Sequence, residues 1–347
     1  MEEQTEIRGI NVEAVTPWFE SHIQGAKPPL EFTLIAGGHS NLTFKVTDTA
    51  GQEFVLRRPP LSHVLASAHD MGREHKIISA LWSTPVPVPQ ALGFCPDPEI
   101  NGAPFYVMGF VPGVVLHDAE IARKSLGESE RRATGESFID VLSDLHDVDV
   151  DAVGLGDLAK KQDYIARQLK RWYGQFQQSK TRELPAIDRV HDVLKAQIPP
   201  QERATVVHGD YRLGNCITDP KRGKIVAVLD WEICTLGDPV ADVGYVLATW
   251  TQSTDPVAGT PGAPSLASGF PNREEILERY AKRSGRDLSK IDYYVAFSLW
   301  KSACIVEGVY ARYLGGALGK TDVNLDQFKD RIDAFAELAA QAVARFA

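Results

Sequence analysis

Between residues 206 and 232, two aspartates and an asparagine, Asp210, Asp230 and Asn215, have the types and spacing that could do chemistry together. Asp210 is followed five residues later by Asn215, in the order His-Gly-Asp-x-x-x-x-Asn, and Asp230 follows an apolar run over residues 225–229. One carboxylate can orient an attacking hydroxyl and accept its proton, while a second carboxylate and a carboxamide hold the Mg²⁺ that bridges nucleotide phosphates. The set predicts phosphoryl transfer from ATP, with Asp210 as the base and Asn215 and Asp230 as metal ligands.

The local elements around these residues fit that chemistry. A β-prone stretch over 205–207 leads into the His-Gly-Asp tripeptide, a turn covers 219–224, and the apolar β run then delivers Asp230. A motif is credible only where its structural context fits, and here a strand, a loop and a hairpin-like turn position the three side chains.

The composition bounds the remaining possibilities. A chain of 347 residues favours two lobes, and 44% hydrophobic with 24% charged residues is typical of a globular protein. A net charge of −9 argues against a nucleic-acid partner. The four cysteines lack metal-ligand spacing, which predicts reduced thiols. Neither a signal peptide nor an apolar run of ~18 residues is present, so we expect a cytoplasmic protein with no membrane partner.

The pattern of elements predicts an α+β fold. Turn residues separate antiparallel strands at 31–35, 42–47 and 53–58, with two more at 91–94 and 104–110 and a one-sided helix at 70–81. The remainder is mainly helical, over 128–146, 161–178, 184–197, 239–250, 273–284, 291–314 and 324–346. We therefore expect a small antiparallel β N-lobe covering residues 1–111 and a large, mainly helical C-lobe covering 112–347.

The motif block is similar to the kinase pattern H-R-D-x-x-x-x-N followed by D-F-G, with Gly209 for Arg and Trp231-Glu232 for Phe-Gly. The chain resembles the aminoglycoside phosphotransferase and choline-kinase group of small-molecule kinases, and especially the kinase-like domain associated with acyl-CoA dehydrogenases. The resemblance covers nearly the whole chain from about Leu34. It implies a protein-kinase-like fold, ATP or GTP and Mg²⁺ as cofactors, a small-molecule alcohol as acceptor, and a functional link to acyl-CoA dehydrogenases.

Gly-Gly-His-Ser-Asn at residues 37–41 lies between two predicted strands, where a phosphate-covering loop belongs. Glycines let backbone amides approach phosphate oxygens closely, and Ser40 and Asn41 add donors. The loop lacks a full G-x-G-x-x-G, so a plain β-turn is the alternative. The similarity to the family's Gly-Gly-x-Ser-Asn loop favours nucleotide contact by Gly38, Ser40 and Asn41.

The kinase lysine of the third strand is missing, and Arg57 stands at its place in the resemblance. Arg offers a planar fork where Lys offers a point charge, so the change is not neutral in geometry. Arg58 is the alternative phosphate ligand. Glu74 resembles the helix acid that pairs with that cation, the alternative being an exposed carboxylate. The resemblance also implies an adenine-binding hinge formed by Met108, Gly109 and Val111.

Three further residues are assigned by position. Asp242 resembles the family's helix aspartate that hydrogen-bonds the loop backbone from behind, and His208 is expected to be a packed structural residue. Arg212 stands where protein kinases carry a phosphate-contacting lysine, so it is a candidate for stabilising the transferred group; a surface charge is the alternative.

The acceptor stays open between a hydroxyacyl-CoA or hydroxy acid, an aminoglycoside and a choline-like alcohol. The apolar-basic C-terminal segment argues against a polycation, and a cage for a quaternary nitrogen would need aromatic residues that are more often core. Those residues are Trp231, Trp250, Tyr293, Tyr294 and Trp300. The loop 251–269 is a lid candidate, and the nearest candidate for the acceptor wall is helix 291–314, with Tyr293, Tyr294, Trp300, Lys301 and Glu307. A disordered surface loop and an ordinary core helix are the alternative.

A catalytically silent nucleotide-binding protein on the same fold is the alternative from another functional class. The replacement of the kinase lysine by Arg keeps it open, whereas retention of Asp210, Asn215 and Asp230 together argues against it. A protein kinase is disfavoured, because no A-P-E segment follows Asp230.

Overall fold

A computed structural model of the chain describes residues 7–36, 41–61, 70–255, 262–316 and 324–347. The chain divides into two compact units, of which the first contains Met1–Pro112 together with Ala227–Glu232. The second contains Gly113–Val226 and Ile233–Ala347. The segment that carries Asp230 therefore belongs to the first unit, although it lies far along the chain. Within the described residues, no helix is long and apolar enough to cross a membrane.

The first unit is built on a five-stranded antiparallel sheet with the strand order β1-β2-β3-β5-β4. The strands are β1 Glu31–Ala36, β2 Leu42–Thr47, β3 Glu53–Arg58, β4 Ala91–Cys95 and β5 Phe105–Gly109, and the helices are α1 Val12–His22, α2 Met71–Leu81 and α3 Pro98–Asn101. All five expected strands are present, with ends shifted by at most one residue.

Alternation along β3 decides what each face of the sheet does. Phe54 and Leu56 join an apolar cluster with Phe19 of α1. Because successive strand side chains point to opposite faces, Arg57 points away from that cluster, and it is paired in register with Tyr106 of β5. A single strand thus supplies core residues on one face and a cation on the other.

The second unit is mainly helical. Its elements are α4 Ala119–Ser125, α5 Glu128–Asp147, α6 Tyr164–Ser179, α7 Pro185–Ala196, α8 Val240–Thr249, α9 Arg273–Ser284, α10 Ile291–Leu314 and α11 Leu325–Val343, with short strands β6 Val114–Val115, β7 Thr205–Val207, β8 Cys216–Asp219, β9 Lys224–Val228 and β10 Thr235–Gly237. β7 pairs with β10, and β8 lies between β6 and β9. The fold is α+β, as the sequence predicts. All four cysteines are buried and free.

Helix α10 is a core helix, which corrects its assignment as the acceptor wall. Tyr293, Tyr294 and Trp300 are at most 3% exposed, and their polar atoms donate to Leu194 O, Asp238 Oδ2 and Ile187 O. A helix that is apolar on most of its circumference is buried, and its aromatic spacing reflects packing. Glu307 is fully buried and accepts from Thr181. Trp231 and Trp250 are also buried, so these aromatic residues form no exposed cage.

Candidate active site

The 208–215 loop, between β7 and β8 of the second unit, begins with a backbone conformation that requires glycine. Gly209 has φ of 84°, and a Cβ there would lie 3.2 Å from the Ile233 side chain. The left-handed region is costly for residues with a Cβ, which explains glycine where the protein-kinase pattern has Arg. This turn directs Asp210 out of the β7 strand.

Asp242, in the first turn of α8, holds the backbone of this loop. Its Oδ2 accepts from the amide of His208 at 2.7 Å and its Oδ1 from the amide of Gly209 at 2.9 Å. His208 is itself fully buried. Asp242 thus occupies the supporting position that the sequence assigns to it.

The charge of Asp242 is stabilised in a buried setting. Burial alone would raise the pKa of this carboxyl, but its hydrogen bonds, first that with His146, hold the pKa below its ordinary value. Burial lowers the pKa of His146, so we take its imidazole as neutral, with Nε2–H directed at Asp242 at 3.4 Å and Nδ1 accepting from Tyr280 at 2.7 Å. Asp242 therefore remains an ionised acceptor for the loop amides.

Lys301 of α10 supports the same loop from the core. Its Nζ donates to Gly209 O at 3.2 Å and lies 5.6 Å from the ring centre of Trp172. The side chain is buried, and that burial lowers the pKa of the ammonium group, while Asp242 and Asp210 oppose the shift. Lys301 contributes to loop geometry rather than to an acceptor wall.

The carboxylate of Asp210 is oriented by two neighbours. Asn215 Nδ2 donates to Asp210 Oδ2 at 2.8 Å and to its main-chain oxygen at 2.9 Å, and the Tyr245 hydroxyl donates to Oδ1. Arg212 Nε lies 3.4 Å from Oδ2. Because the amide nitrogen of Asn215 faces Asp210, its carbonyl oxygen is the atom left for a metal ion.

A pocket of about 320 Å³ adjoins Asp210 within the second unit. Tyr245 and Arg212, which both contact Asp210, line it. The rest of the lining comes from the segment before α4, the 208–215 loop, α5, α8 with the residue after it, α11 and the segment after residue 262. These residues are His117, Phe138, Leu213, Gly214, Val246, Thr249, Trp250, Ala263, Pro264, Ser265 and Arg331. Part of the proposed lid segment therefore lines the pocket, and its residues 256–261 lie outside the described chain.

In the first unit, Arg57 joins two carboxylates. Its Nε lies 3.0 Å from Glu74 Oε2 and its Nη2 lies 2.5 Å from Asp230 Oδ1. Arg58 instead donates to the backbone oxygens of Gly9 and Asn101, at 2.7 and 2.9 Å. Arg57, and not Arg58, is therefore the arginine that pairs with Glu74 and Asp230.

The electrostatics of this cluster favour a permanent charge on Arg57. Burial works against that charge, but Tyr106, Glu74 and Asp230 outweigh it and raise the pKa of Arg57. Burial raises the pKa of Glu74 although Arg57 opposes it. Asp230 has φ of 65°, an uncommon backbone state for a residue with a side chain, and such states concentrate at functional sites.

The remaining nucleotide residues have mixed outcomes. Gly38 and Ser40 lie outside the described residues. Asn41 is buried and its Nδ2 donates to Glu74 Oε1 at 3.0 Å, so this amide supports the acid instead of pointing outward as a phosphate donor. At the expected hinge, Met108 is 7% exposed, the amide of Gly109 donates to Gln90 O at 2.9 Å, and Val111 is partly exposed. The Gly109 N–H is thus already used.

The sequence matches the model of a known protein family. The model of the phosphotransferase enzyme family matches residues 31–292. The chain belongs to this family. It is 38% identical over 291 residues to acyl-CoA dehydrogenase family member 10 of Mus musculus, which covers 83% of this chain and 27% of the mouse protein. The chain spans 27% to 42% of the length of the curated relatives it matches.

Solved structures place this phosphotransferase-family chain among kinase-like folds. A protein of Ralstonia eutropha, provisionally named an aminoglycoside phosphotransferase, superposes with a TM-score of 0.82 at 33% identity, covering 96% of this chain and 98% of its own. An amicoumacin kinase in complex with AMP-PNP and Ca²⁺ superposes with a TM-score of 0.61 at 14% identity, covering 95% and 93%. The second likeness shows the fold alone.

The residues that this phosphotransferase-family chain offers to a metal are hard oxygen donors, which suit Mg²⁺. Within the described part of the chain, no three His, Cys, Asp or Glu side chains form a metal-binding group. Among the expected site residues, the second unit offers the Asn215 carbonyl oxygen and the first unit offers the Asp230 carboxylate as hard oxygen donors. Mg²⁺ commonly binds phosphates through one or two protein ligands, so the residues fit.

Sequence reasoning missed four residues around the pocket and the loop. Tyr245 lies three residues after Asp242 on the same helix, so the helical repeat could have placed both on one face towards the loop. His117, Arg331 and His146 come from distant elements, and nothing local in the sequence distinguishes them from surface or core residues. Only the fold brings them near Asp210 and Asp242.

Proposed function

We propose that the chain is an ATP- and Mg²⁺-dependent kinase that transfers the γ-phosphoryl group to the hydroxyl of a small molecule. The observation that carries the proposal is the Asp210 carboxylate, held by Tyr245 and Asn215 next to a pocket large enough for a small acceptor. Family membership supports the reaction class. GTP is an alternative donor.

In the proposed reaction, the acceptor hydroxyl gives its proton to Asp210 as its oxygen bonds to the γ-phosphorus. The bond from the γ-phosphorus to the β–γ bridging oxygen breaks, and the nucleoside diphosphate, ADP, leaves with that electron pair. Tyr245 and Asn215 keep the Asp210 carboxylate in one orientation, which favours reaction because a positioned base avoids reorganisation. Bound Mg²⁺ supplies neutralisation of phosphate charge.

The first unit supplies the proposed nucleotide contacts. Arg57 keeps its charge in a buried cluster, as a ligand of the α and β phosphates must, while Glu74 fixes its direction. Met108, Gly109 and Val111 are the proposed adenine neighbours, with the Gly109 amide excluded as a donor. Arg212 is proposed to stabilise the transferred group.

A second candidate is a catalytically silent nucleotide-binding protein. It is favoured by one observation: the ion pair between Arg57 and Asp230, at 2.5 Å, occupies an oxygen of a proposed metal ligand. Relatives named as acyl-CoA dehydrogenase family members also support a proposed functional link to that enzyme class, with hydroxy acids, hydroxyacyl-CoA, aminoglycosides and choline-like alcohols as candidate acceptors.

The decisive test replaces the proposed base. Asp210→Asn keeps the shape of the side chain but removes the base, so phosphate transfer should fall by about 10²–10⁴-fold. ATP affinity should stay unchanged. Transfer is measured as release of ADP with alcohols, amino sugars and hydroxyacyl thioesters as acceptors. Asp192→Asn, at an 81% exposed carboxylate of the same unit, is the control. Equal rates in the two variants would remove Asp210 from the mechanism.

A further inference from the structure

The pocket beside Asp210 contains three basic side chains, namely Arg212, His117 and Arg331. None of its described lining residues is an Asp or Glu. The nearby carboxylate of Asp210 is already contacted by Tyr245, Asn215 and Arg212. The pocket therefore differs in sign from the chain as a whole, whose net charge is −9.

The basic groups lie close to one another around the pocket. A Cβ built on Gly214 would lie 2.3 Å from Arg212 Nη1 and 3.5 Å from His117 Nδ1, so both groups converge over this glycine. Burial lowers the pKa of Arg331, Tyr245 opposes that shift, and the positive charge of Arg212 adds to it. Arg331 therefore lies within electrostatic range of both Tyr245 and Arg212.

The positive charges of Arg331 and Arg212 repel each other, and a bound anion would relieve that repulsion. Arginine is the side chain best suited to this because its planar fork matches carboxylate and phosphate oxygens. The guanidinium of Arg331 also lies 5.4 Å from the ring centre of Phe335 on the same helix, which limits its range of positions. A cationic acceptor would meet like charges here, and like-charge contacts oppose binding.

We propose that this pocket recognises an acceptor alcohol through an anionic group, a carboxylate or a phosphate, held by Arg331 together with His117, in a pocket to whose positive charge Arg212 contributes. The inference rests on the proposed phosphotransferase function and names the chemical class of its acceptor. Phe138 and Trp250 supply apolar wall between the basic groups. A volume of about 320 Å³ is at the small end for ligand pockets, so the part of the acceptor inside it is short.

The test uses probes that differ only in charge. Hydroxycarboxylates of three to six carbons are compared with diols and amino alcohols of the same length, and a phosphate monoester of each diol separates phosphate from carboxylate recognition. Transfer is followed as release of ADP from Mg·ATP, and binding of the probes is followed by calorimetry without nucleotide. We expect the anionic probes to have the lowest KM and the amino alcohols the highest.

Arg331→Gln removes one basic group from the pocket. It should raise the KM and the Kd of the anionic probes about 10- to 100-fold, as expected for a lost charge-assisted hydrogen bond. Values for the diols and for ATP should not change. Lys329→Gln is the matched control, because it removes the same charge from the same helix at a side chain that contacts Tyr310 and Asp326 instead.

The outcomes separate this inference from the proposed function. Transfer to diols as efficient as to anionic probes, or equal effects of Arg331→Gln and Lys329→Gln, would overturn the anion site while the kinase proposal stands. Binding of anionic probes that depends on Arg331, without transfer to any probe, would support the anion site and contradict the kinase proposal. If no anionic probe binds more tightly than its diol, the inference is wrong.

Discussion

Arg57 contacts two carboxylates through two different nitrogens of its guanidinium. Its Nε lies 3.0 Å from Glu74 Oε2 and its Nη2 lies 2.5 Å from Asp230 Oδ1, so one rigid, planar group spans both acids where a lysine would offer a point charge. Glu74 in turn accepts from Tyr106 at 3.1 Å and from Asn41. Arg57 therefore links β3 to α2 and to the segment that carries Asp230 within the first unit, in addition to its proposed role as a phosphate ligand.

A double-mutant cycle measures the coupling free energy between Arg57 and Glu74. Arg57→Met should destabilise the fold by about 3–5 kcal/mol, because Glu74, 2% exposed, is left without its cation. Combined with Glu74→Gln, it should show a coupling of roughly 1–3 kcal/mol in urea unfolding. The exposed pair Glu120–Lys124 on α4, 72% exposed on each side, should show about 0.3–0.5 kcal/mol. Equal coupling in both pairs would refute the structural role.

For single residues, the sequence predicts contacts between positions whose order is known from the family's motifs. It does not predict contacts between residues on elements that are distant in sequence. Arg57 and Glu74 could be paired because a strand and the next helix have a known order. Which of Arg57 and Arg58 meets Glu74 depends on which face of β3 packs on the core. Alternation along the strand gives the answer only once that core face is known. No family motif includes Arg331, so nothing in the sequence pointed to it.

At the scale of elements, α8 positions the site by packing closely on α10. Gly244 lies between Asp242 and Tyr245, which contact the loop and Asp210. A Cβ on Gly244 would lie 2.5 to 2.7 Å from backbone and Cβ atoms of Tyr294 on α10. Such an approach is possible only without a side chain, so this glycine sets the distance between the two helices.

Gly244→Ala should therefore separate α8 from α10 and destabilise the fold by about 1–3 kcal/mol, as overpacking does. Phosphate transfer should also fall, since Tyr245 moves with the helix. Gly174→Ala on α6 is the control, because no atom lies within 4 Å of its built Cβ, and alanine there should stabilise by about 0.4–1 kcal/mol. Thermal unfolding measures whether each variant is more or less stable than the parent chain. A Gly244→Ala variant that is more stable would contradict the packing argument.

Hydrophobic periodicity located the long elements but did not reveal the role of each one. The eight helices expected from the sequence are present with ends within three residues of the prediction, because their apolar repeats are strong. α1, α3, α4, β6 and β10 were not expected, since they are short or lie before the resemblance begins. α10 was expected to form the acceptor wall, but periodicity alone cannot tell a core aromatic residue from one that contacts a ligand.

At the scale of the whole molecule, the two units are not continuous along the chain. The segment Ala227–Glu232 leaves the second unit and joins the first, where Val228 donates to Pro87 O at 2.8 Å. The order of strands and helices along the sequence predicts a boundary near residue 111, but it gives no sign of this return. Net charge likewise predicted an acidic molecule and gave no sign of a basic pocket, because it averages over distant residues.

Nucleotide binding offers a test on the whole chain. A ligand that binds only the folded state, present at a hundred times its Kd, adds about 2.7 kcal/mol to the free energy of unfolding. ATP with Mg²⁺ should therefore raise the Tm, and EDTA should remove most of that rise if Asp230 and Asn215 act through the metal. Asp230→Asn should lose the Mg²⁺-dependent part, while Asp192→Asn should keep it. Equal shifts with Mg²⁺ and with EDTA would show that ATP binds without the metal, and Asp230 would then act only through Arg57.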